Sequence, residues 1–269
     1  MLPDLHMHTC YSHDAAPHST VIALCEQAIA LGLPCIAVTD HYDLNHELAV
    51  PPTRSLQRRK IYEDVLAARE IYGDKLTLLH GIELGQAILF PDRAPALIAE
   101  LPYDIVLGSL HNLHHKTGFS HIDFTPVPQE ECNALFSEVL TRTVELLDLN
   151  TIHVVAHLTY MHRYLHRIGR ELDFPAFFDQ MEVLFKKMIA QNVALEINTS
   201  TVREGITMPT REILAFYRDC GGKLLTIGSD THKPESMAKG FKEAAEMIAS
   251  CGYTSLDVPT ANGVLSFPI

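Results

Sequence analysis

Histidine is the side chain to follow in this sequence, with 16 copies among 269 residues. It is the commonest metal ligand, and its charge changes near neutral pH, so its placement separates metal, acid–base and packing roles. Several copies stand beside carboxylates in short clusters: His6-Met-His8, Ser12-His13-Asp14, Asp40-His41 and Ser229-Asp230-Thr231-His232. Glu83, His111 and His157 stand alone, each following an aliphatic run. Imidazoles mixed with carboxylates, and no thiolate among them, suit zinc, iron or manganese rather than a structural cysteine site. The set His6, His8, Asp14, His41, Glu83, His111, His157, Asp230 and His232 is too large for one ion. Glu83 and Asp230 are placed to bridge, so two to three divalent ions are expected. Clustered divalent ions about 3.5–4 Å apart are the recurrent solution to phosphoester hydrolysis, because they polarise phosphoryl oxygens and make hydroxide near neutral pH.

These side chains need a scaffold that brings them together. Short apolar runs suited to buried strands fall at 3–8, 35–39, 76–84, 104–110, 152–158, 193–198 and 224–229. Helical stretches intervene at 20–31, 56–72, near 95–100, and at 129–149, 175–192, 209–220 and 235–250. Alternating strands and helices imply parallel strands joined by right-handed crossovers. At this length a closed or nearly closed α/β barrel in one domain, 1–269, is favoured, with chemistry at the carboxyl ends of its strands. Those ends carry His6 and His8, Asp40 and His41, Glu83, His111, His157, and Asp230 with His232. Period-two geometry puts His6 and His8 on one face, and likewise Asp230 and His232. A lone histidine is more often a satisfied packing residue. His80 and His153 are read that way, and His18, His46, His114, His115, His121, His162 and His166 fall in loops as solvated or supporting residues.

Composition narrows the partners. Lysine and arginine number 21 against 33 acidic residues, a net charge of −12 that argues against a nucleic-acid polymer, which requires a basic surface. No apolar run reaches membrane-spanning length, and the first residues lack a secretory leader pattern, so a cytoplasmic protein without membrane contact is expected. The six cysteines show no zinc-finger or redox spacing. Oligomeric state is not legible.

His6-x-His8 with Ser12-His13-Asp14, Thr39-Asp40-His41, Gly81-Ile-Glu83, Gly108-Ser-Leu-His111, Ala156-His157 and Gly228-Ser-Asp230-x-His232 resemble, in order, the motifs of the PHP (polymerase and histidinol phosphatase) family. Glu196-Ile-Asn-Thr-Ser200 and the run from Ser229 to Glu235 are similar to its histidinol-phosphate phosphatase branch. The resemblance implies a distorted (β/α)7 TIM-like barrel with a trinuclear metal centre. His6, His8, Glu83 and Asp230 would hold one ion, Glu83, His111 and His157 a second, and Asp14, His41 and His232 a third. His13 is the alternative to Asp14, and Asp40 would point away to orient a neighbour. The implied reaction is hydrolysis of a small phosphate ester, L-histidinol phosphate, in histidine biosynthesis. Asp230 would orient the attacking water, and His232 is the candidate proton donor.

A phosphatase also needs cationic anchors, because a guanidinium matches phosphate geometry. The basic island 162–170 and the segment ending at Arg203 supply them, and the resemblance singles out Arg163 and Arg203. Arg167 and Arg170 are read as solvated, and Arg58-Arg59-Lys60 as an exposed helical face. The family usually has glycine where this chain has Thr201. Alternatives are a PHP-type phosphoesterase acting on nucleotides or another small ester, an amidohydrolase, or a metal-binding scaffold without catalysis. The amidohydrolase ranks low because residues 104–111 contain no lysine to bridge metals.

Overall fold

The computed structural model describes residues 1–44, 53–113 and 117–269. His46, His114 and His115 lie outside the described residues. Helix α1 (Val21–Leu31) starts at Thr20, whose side chain accepts from the Ala23 N–H, and stops at Gly32 in the left-handed region. The chain continues through β1 (Cys35–Val38), β2 (His41–Asp43), α2 (Thr53–Tyr72), β3 (Thr77–Gly85), α3 (Arg93–Ala99) and β4 (Ile105–Ser109). After α4 (Gln129–Asp148) come β5 (Val154–Val155), α5 (His162–Arg167), α6 (Phe178–Ala190) and β6 (Ala194–Asn198). Then follow α7 (Arg211–Asp219), β7 (Leu225–Gly228), α8 (Phe241–Ser250), β8 (Ser255–Thr260) and β9 (Gly263–Pro268).

The strands pair in parallel in the order β1-β3-β4-β5-β6-β7, with β2 extending alongside the upper half of β3. Residues 4–8 close the ring. The Asp4 N–H donates to Cys35 and the Leu5 N–H to Ile227, while Thr39 donates to Met7 and Asp230 to His6. The N-terminal segment therefore lies between the first and last strands, and the expected distorted seven-stranded α/β barrel is present. Strands β1, β4, β6 and β7 are buried at every residue, as apolar runs enclosed by helices should be. Outside the sheet, α4 buries Phe136, Val139, Leu140, Leu146 and Leu147, and α6 buries Met181, Leu184, Phe185 and Met188 in the same core.

Several sequence expectations shift. β5 pairs over only two residues where a longer strand was expected, because His157 turns away with φ of 26°. The antiparallel β8–β9 hairpin lies beyond the last expected helix; two short runs flanking Ala261-Asn262-Gly263 were its signal. Arg58 is not on an exposed face. Its guanidinium bonds Leu97 O at 3.2 Å and Glu100 at 2.6 Å, 4.8 Å from the Tyr42 ring centre. No helix among the described residues is long and apolar enough to cross a membrane.

Candidate metal centre

The side chains picked from the strand ends meet at one end of the barrel. Glu83, fully buried near the end of β3, stands at the middle. Its Oε1 lies 2.8 Å from His157 Nε2 and 3.0 Å from His111 Nε2. Its Oε2 lies 3.5 Å from His6 Nε2, 3.8 Å from His8 Nε2, and against His41 Nδ1. Asp230 Oδ1 is 3.1 Å from His8 Nε2 and 3.7 Å from His6 Nε2. A third group gathers on Asp14, whose Oδ2 is 3.2 Å from His232 Nε2 and 3.6 Å from His41 Nε2. His13 stays at the edge of the cluster with a side chain 68% exposed, 3.9 Å from Asp14 and with its ring centre 6.1 Å from that of His41.

Ring orientations are fixed from behind. His6 Nδ1 donates to Glu196 Oε1 at 2.6 Å, His111 Nδ1 to Asp43 at 3.2 Å, and His232 Nδ1 to the Asp230 carbonyl at 3.0 Å. Each of these bonds puts the proton on Nδ1 and turns Nε2 toward the centre, the usual way an outer partner orients a metal-binding imidazole. The other oxygen of Glu196 accepts the His157 N–H at 2.7 Å. His157 and Asp230 both have positive φ, 26° and 52°. For residues other than glycine this costs on the order of 1–3 kcal/mol each and persists only when neighbours over-determine it.

The buried imidazoles and carboxylates shift one another's protonation. Burial alone would lower His6, but Glu196, Asp230 and Glu83 outweigh it and hold it well above its ordinary pKa. His41 is held up in the same way, chiefly by Glu83, and His111 is raised to about 10 by Glu83 and Asp43. Burial would raise Glu83, yet the His41, His111 and His6 imidazoles keep it well below the carboxylate range. Asp230 is depressed likewise by His6 and His8. His8 is pushed well down, first by burial and then by His41 and His232. Protons on the rings thus balance buried carboxylates, and divalent cations would do so better. The buried atoms His6 Nε2 and Glu83 Oε2 face each other and make no hydrogen bond. The donor set fits divalent metal ions. Four triads have ligand atoms within 4.8 Å of one another: His8/His41/His232, His6/Glu83/His157, His6/His8/Asp230 and His41/Glu83/His111.

The basic residues take different places. Arg203 follows β6 in a short 3-10 turn and lines a cleft of 520 Å³ with Asp14, Asp230, His232, Lys233 and Lys239. Thr201, where glycine was expected, has φ of −104°, so a side chain costs nothing there; the left-handed position is Gly205 at 91°. Arg163, in the first turn of α5, lies 5.4 Å from the Tyr160 ring centre and 5.5 Å from Tyr164. Tyr160 in turn sits 5.0 Å from His157 and 5.2 Å from His111. Arg167 and Arg170 are not merely solvated. Arg167 pairs with Glu204, and Arg170 donates to the carbonyls of Phe124 and Val127.

Sequence reading passed over Glu196 and Asp43 as orienting groups, although Glu196 lies inside a quoted motif, two residues before the end of β6, and Asp43 is the last residue of β2. It also missed Asp4, which accepts from Ser229 N and Oγ and ties the N-terminal segment to the Asp230 turn. Asp40 points away as expected, accepting from Thr9 and Ser12. His80 stacks on Tyr103 and bonds Pro102 O, and His153 Nδ1 accepts the Val106 N–H, both as packing residues.

The PHP domain model matches residues 4–200. The histidinol-phosphatase of Lactococcus lactis is 24% identical over 260 residues, spanning 94% of this chain and 92% of that protein. A Thermotoga maritima protein named probable histidinol-phosphatase is 26% identical over 262 residues, 95% of this chain and 94% of its own. Among solved structures, histidinol phosphate phosphatase from L. lactis, complexed with zinc, L-histidinol and phosphate, superposes with a TM-score of 0.79 at 20% identity over 98% of both chains. A Listeria monocytogenes structure described as a putative histidinol phosphatase gives 0.76 at 17% identity, over 90% of this chain and 99% of that one. At these identities the solved structures establish the shared fold.

Proposed function

We propose that this chain, which belongs to the PHP domain family, is a metal-dependent phosphatase, as one barrel domain over 1–269. It would hydrolyse L-histidinol phosphate to L-histidinol and inorganic phosphate, in histidine biosynthesis and in the cytoplasm. The observation that carries this reading is the split of Glu83. One oxygen faces His111 and His157 while the other faces His6, His8 and His41, the arrangement a bridging carboxylate needs. Relatives named histidinol-phosphatase or probable histidinol-phosphatase match over nearly their whole length, which supports the choice of substrate.

In this reading His6, His8, Glu83 and Asp230 would hold one ion, Glu83, His111 and His157 a second, and Asp14, His41 and His232 a third, drawn from zinc, iron or manganese. When bound, such ions polarise phosphoryl oxygens and lower the pKa of water toward neutrality. The protein's own groups do the rest. Asp230, held by backbone bonding to His6, orients the attacking water for in-line approach. Arg163 and Arg203 clamp the remaining phosphoryl oxygens, holding the phosphate in place. His232 has Nδ1 tied to the Asp230 carbonyl, so it offers Nε2 alone, to an ion or to the leaving oxygen.

A nucleoside phosphate is the second reading, favoured by Lys233 and Lys239 in the cleft beside Arg203. Phosphate release measured side by side on L-histidinol phosphate, nucleoside monophosphates and short oligonucleotides separates the two. Preference for L-histidinol phosphate supports the proposal, and preference for a nucleotide replaces it with the second reading.

A further inference from the structure

The two arginines assigned to phosphate come from different parts of the barrel, Arg163 from α5 after β5 and Arg203 from the turn after β6. Arg203 is the exposed residue of a short three-residue turn whose other two residues are half-buried. A clamp of two guanidinium groups works only if the distance between them is set, because a phosphoryl group offers oxygens at fixed spacing.

Side chains one helical turn away join the two segments. Arg167, four residues after Arg163 on α5, meets Glu204, next to Arg203, in a two-pronged pair: Nε to Oε2 at 2.7 Å and Nη2 to Oε1 at 2.6 Å. His166 adds a second link, with Nε2 2.8 Å from the Glu204 carbonyl oxygen. Its Nδ1 lies 2.6 Å from Glu171 Oε1, and the other oxygen of Glu171 lies 2.6 Å from His162 Nε2. His162, expected in a loop as a solvated or supporting residue, begins α5 and is 1% exposed, so Glu171 is anchored to the packed base of that helix. The ring centre of Tyr164 lies 5.5 Å from the guanidinium carbon of Arg163 and of Arg167, so both cations rest against one aromatic ring.

We infer that Glu204, Arg167 and His166 are positioning residues that set the spacing between Arg163 and Arg203. They form a polar strap across the mouth of the barrel, and this rests on the assignment of those two arginines to phosphate. The strap touches no candidate metal ligand. A surface ion pair by itself contributes little, which is why stability is the wrong place to look for its purpose. A bidentate pair reinforced by a two-sided imidazole at a hinge between two binding loops acts instead on geometry. Its loss lowers ground-state capture of phosphate and leaves the reacting centre alone, the signature of uniform binding.

The strap also has a protonation state. His166 lies between a carboxylate and a backbone carbonyl, both able only to accept, so both ring nitrogens must donate and the ring must be an imidazolium. The acidic groups facing it are Glu171 and Glu204; Arg167 follows it on its own helix, and one turn before it stands His162, whose pKa burial lowers. Raising the pH until the ring loses a proton breaks one of its two bonds.

The test uses full-length, metal-loaded protein. KM and kcat for L-histidinol phosphate and the inhibition constant of inorganic phosphate are measured for wild type, E204Q, R167M, H166Q and the R167M/E204Q double variant, with R163Q and R203Q as references. The strap predicts KM and the phosphate constant raised by about five- to tenfold in each strap variant, less than the roughly 10²-fold that a 1 Å misplacement can cost. It predicts kcat within about twofold and metal content unchanged, with the double variant no worse than the worse single one. It also predicts that the H166Q to wild-type KM ratio declines as the pH rises, because wild type then loses the same bond. If R163Q and R203Q raise KM while E204Q and R167M do not, the strap is overturned and the arginine assignment stands. If R163Q and R203Q leave KM and the phosphate constant unchanged, phosphate is held elsewhere and both fall.

Discussion

Glu196→Gln keeps the shape of a buried side chain and removes its charge. Glu196 supports two of the candidate ligands at once, accepting His6 Nδ1–H at 2.6 Å and the His157 N–H at 2.7 Å. A hydrogen bond to an ionised acceptor is about twice as strong as a neutral one, so the variant halves the hold on His6 and frees its tautomer. Loss of an outer partner of a metal-binding histidine typically costs about 10–100-fold in affinity. Because two ligands share this carboxylate, we expect the upper part of that range, about 50–100-fold or roughly 2.3–2.7 kcal/mol. The assay is zinc affinity by competition with a chelator of known strength, with turnover followed as free zinc is raised. Activity should return at high zinc, since the reacting groups are intact. An E196Q variant whose zinc affinity stays within twofold of wild type would refute the reasoning that Glu196 tunes the centre.

Four other expectations follow from the same geometry. Asp230→Asn should cut turnover severely while the thermal unfolding midpoint of the metal-loaded protein moves little; near-normal turnover would remove Asp230 from the reaction. Gly228→Ala would place a Cβ 2.3 Å from His6 Cβ and 2.6 Å from Glu196 Oε1. Such overpacking costs about 1–3 kcal/mol, and here it also parts the His6–Glu196 bond, so both thermal stability and zinc affinity should drop. Because His6, His41 and His111 are held above their ordinary pKa by the buried carboxylates, their protons must leave when metal enters. Zinc loading at pH 7 should therefore release protons and weaken as pH falls, measurable by titration calorimetry in buffers of different ionisation enthalpy. Chelation should lower the unfolding midpoint by several degrees, since ligand at 100 times its Kd adds about 2.7 kcal/mol; an unchanged midpoint would mean that the cluster binds no metal under those conditions.

The rim was legible in sequence because strand ends have a fixed address in a barrel. Once 35–39 and 76–84 read as buried strands, His41 and Glu83 had to emerge at the same end, and they stand in contact. The orienting groups were harder to see. Glu196 acts on His6 from 190 positions away in the sequence, and Asp43 acts on His111 from 68 away, so no local spacing announces either. Local pattern also misjudged Arg58 and Arg167, since polar residues on helices read as solvated until the neighbouring segments are placed against them. The β8–β9 hairpin carried a usable turn signal, yet it adds nothing to the rim and lies outside the alternation that made the rest readable.

The central claim is that these side chains assemble metal ions for attack on a phosphate monoester, and one titration tests it most directly. Metal-free protein is titrated with zinc while phosphate release from L-histidinol phosphate and bound metal per chain are followed together. The account predicts no release without metal, and activity that climbs with occupancy to a plateau near three ions per chain. Release of phosphate at full rate from metal-free protein, or a fully loaded protein that leaves L-histidinol phosphate intact, would contradict it.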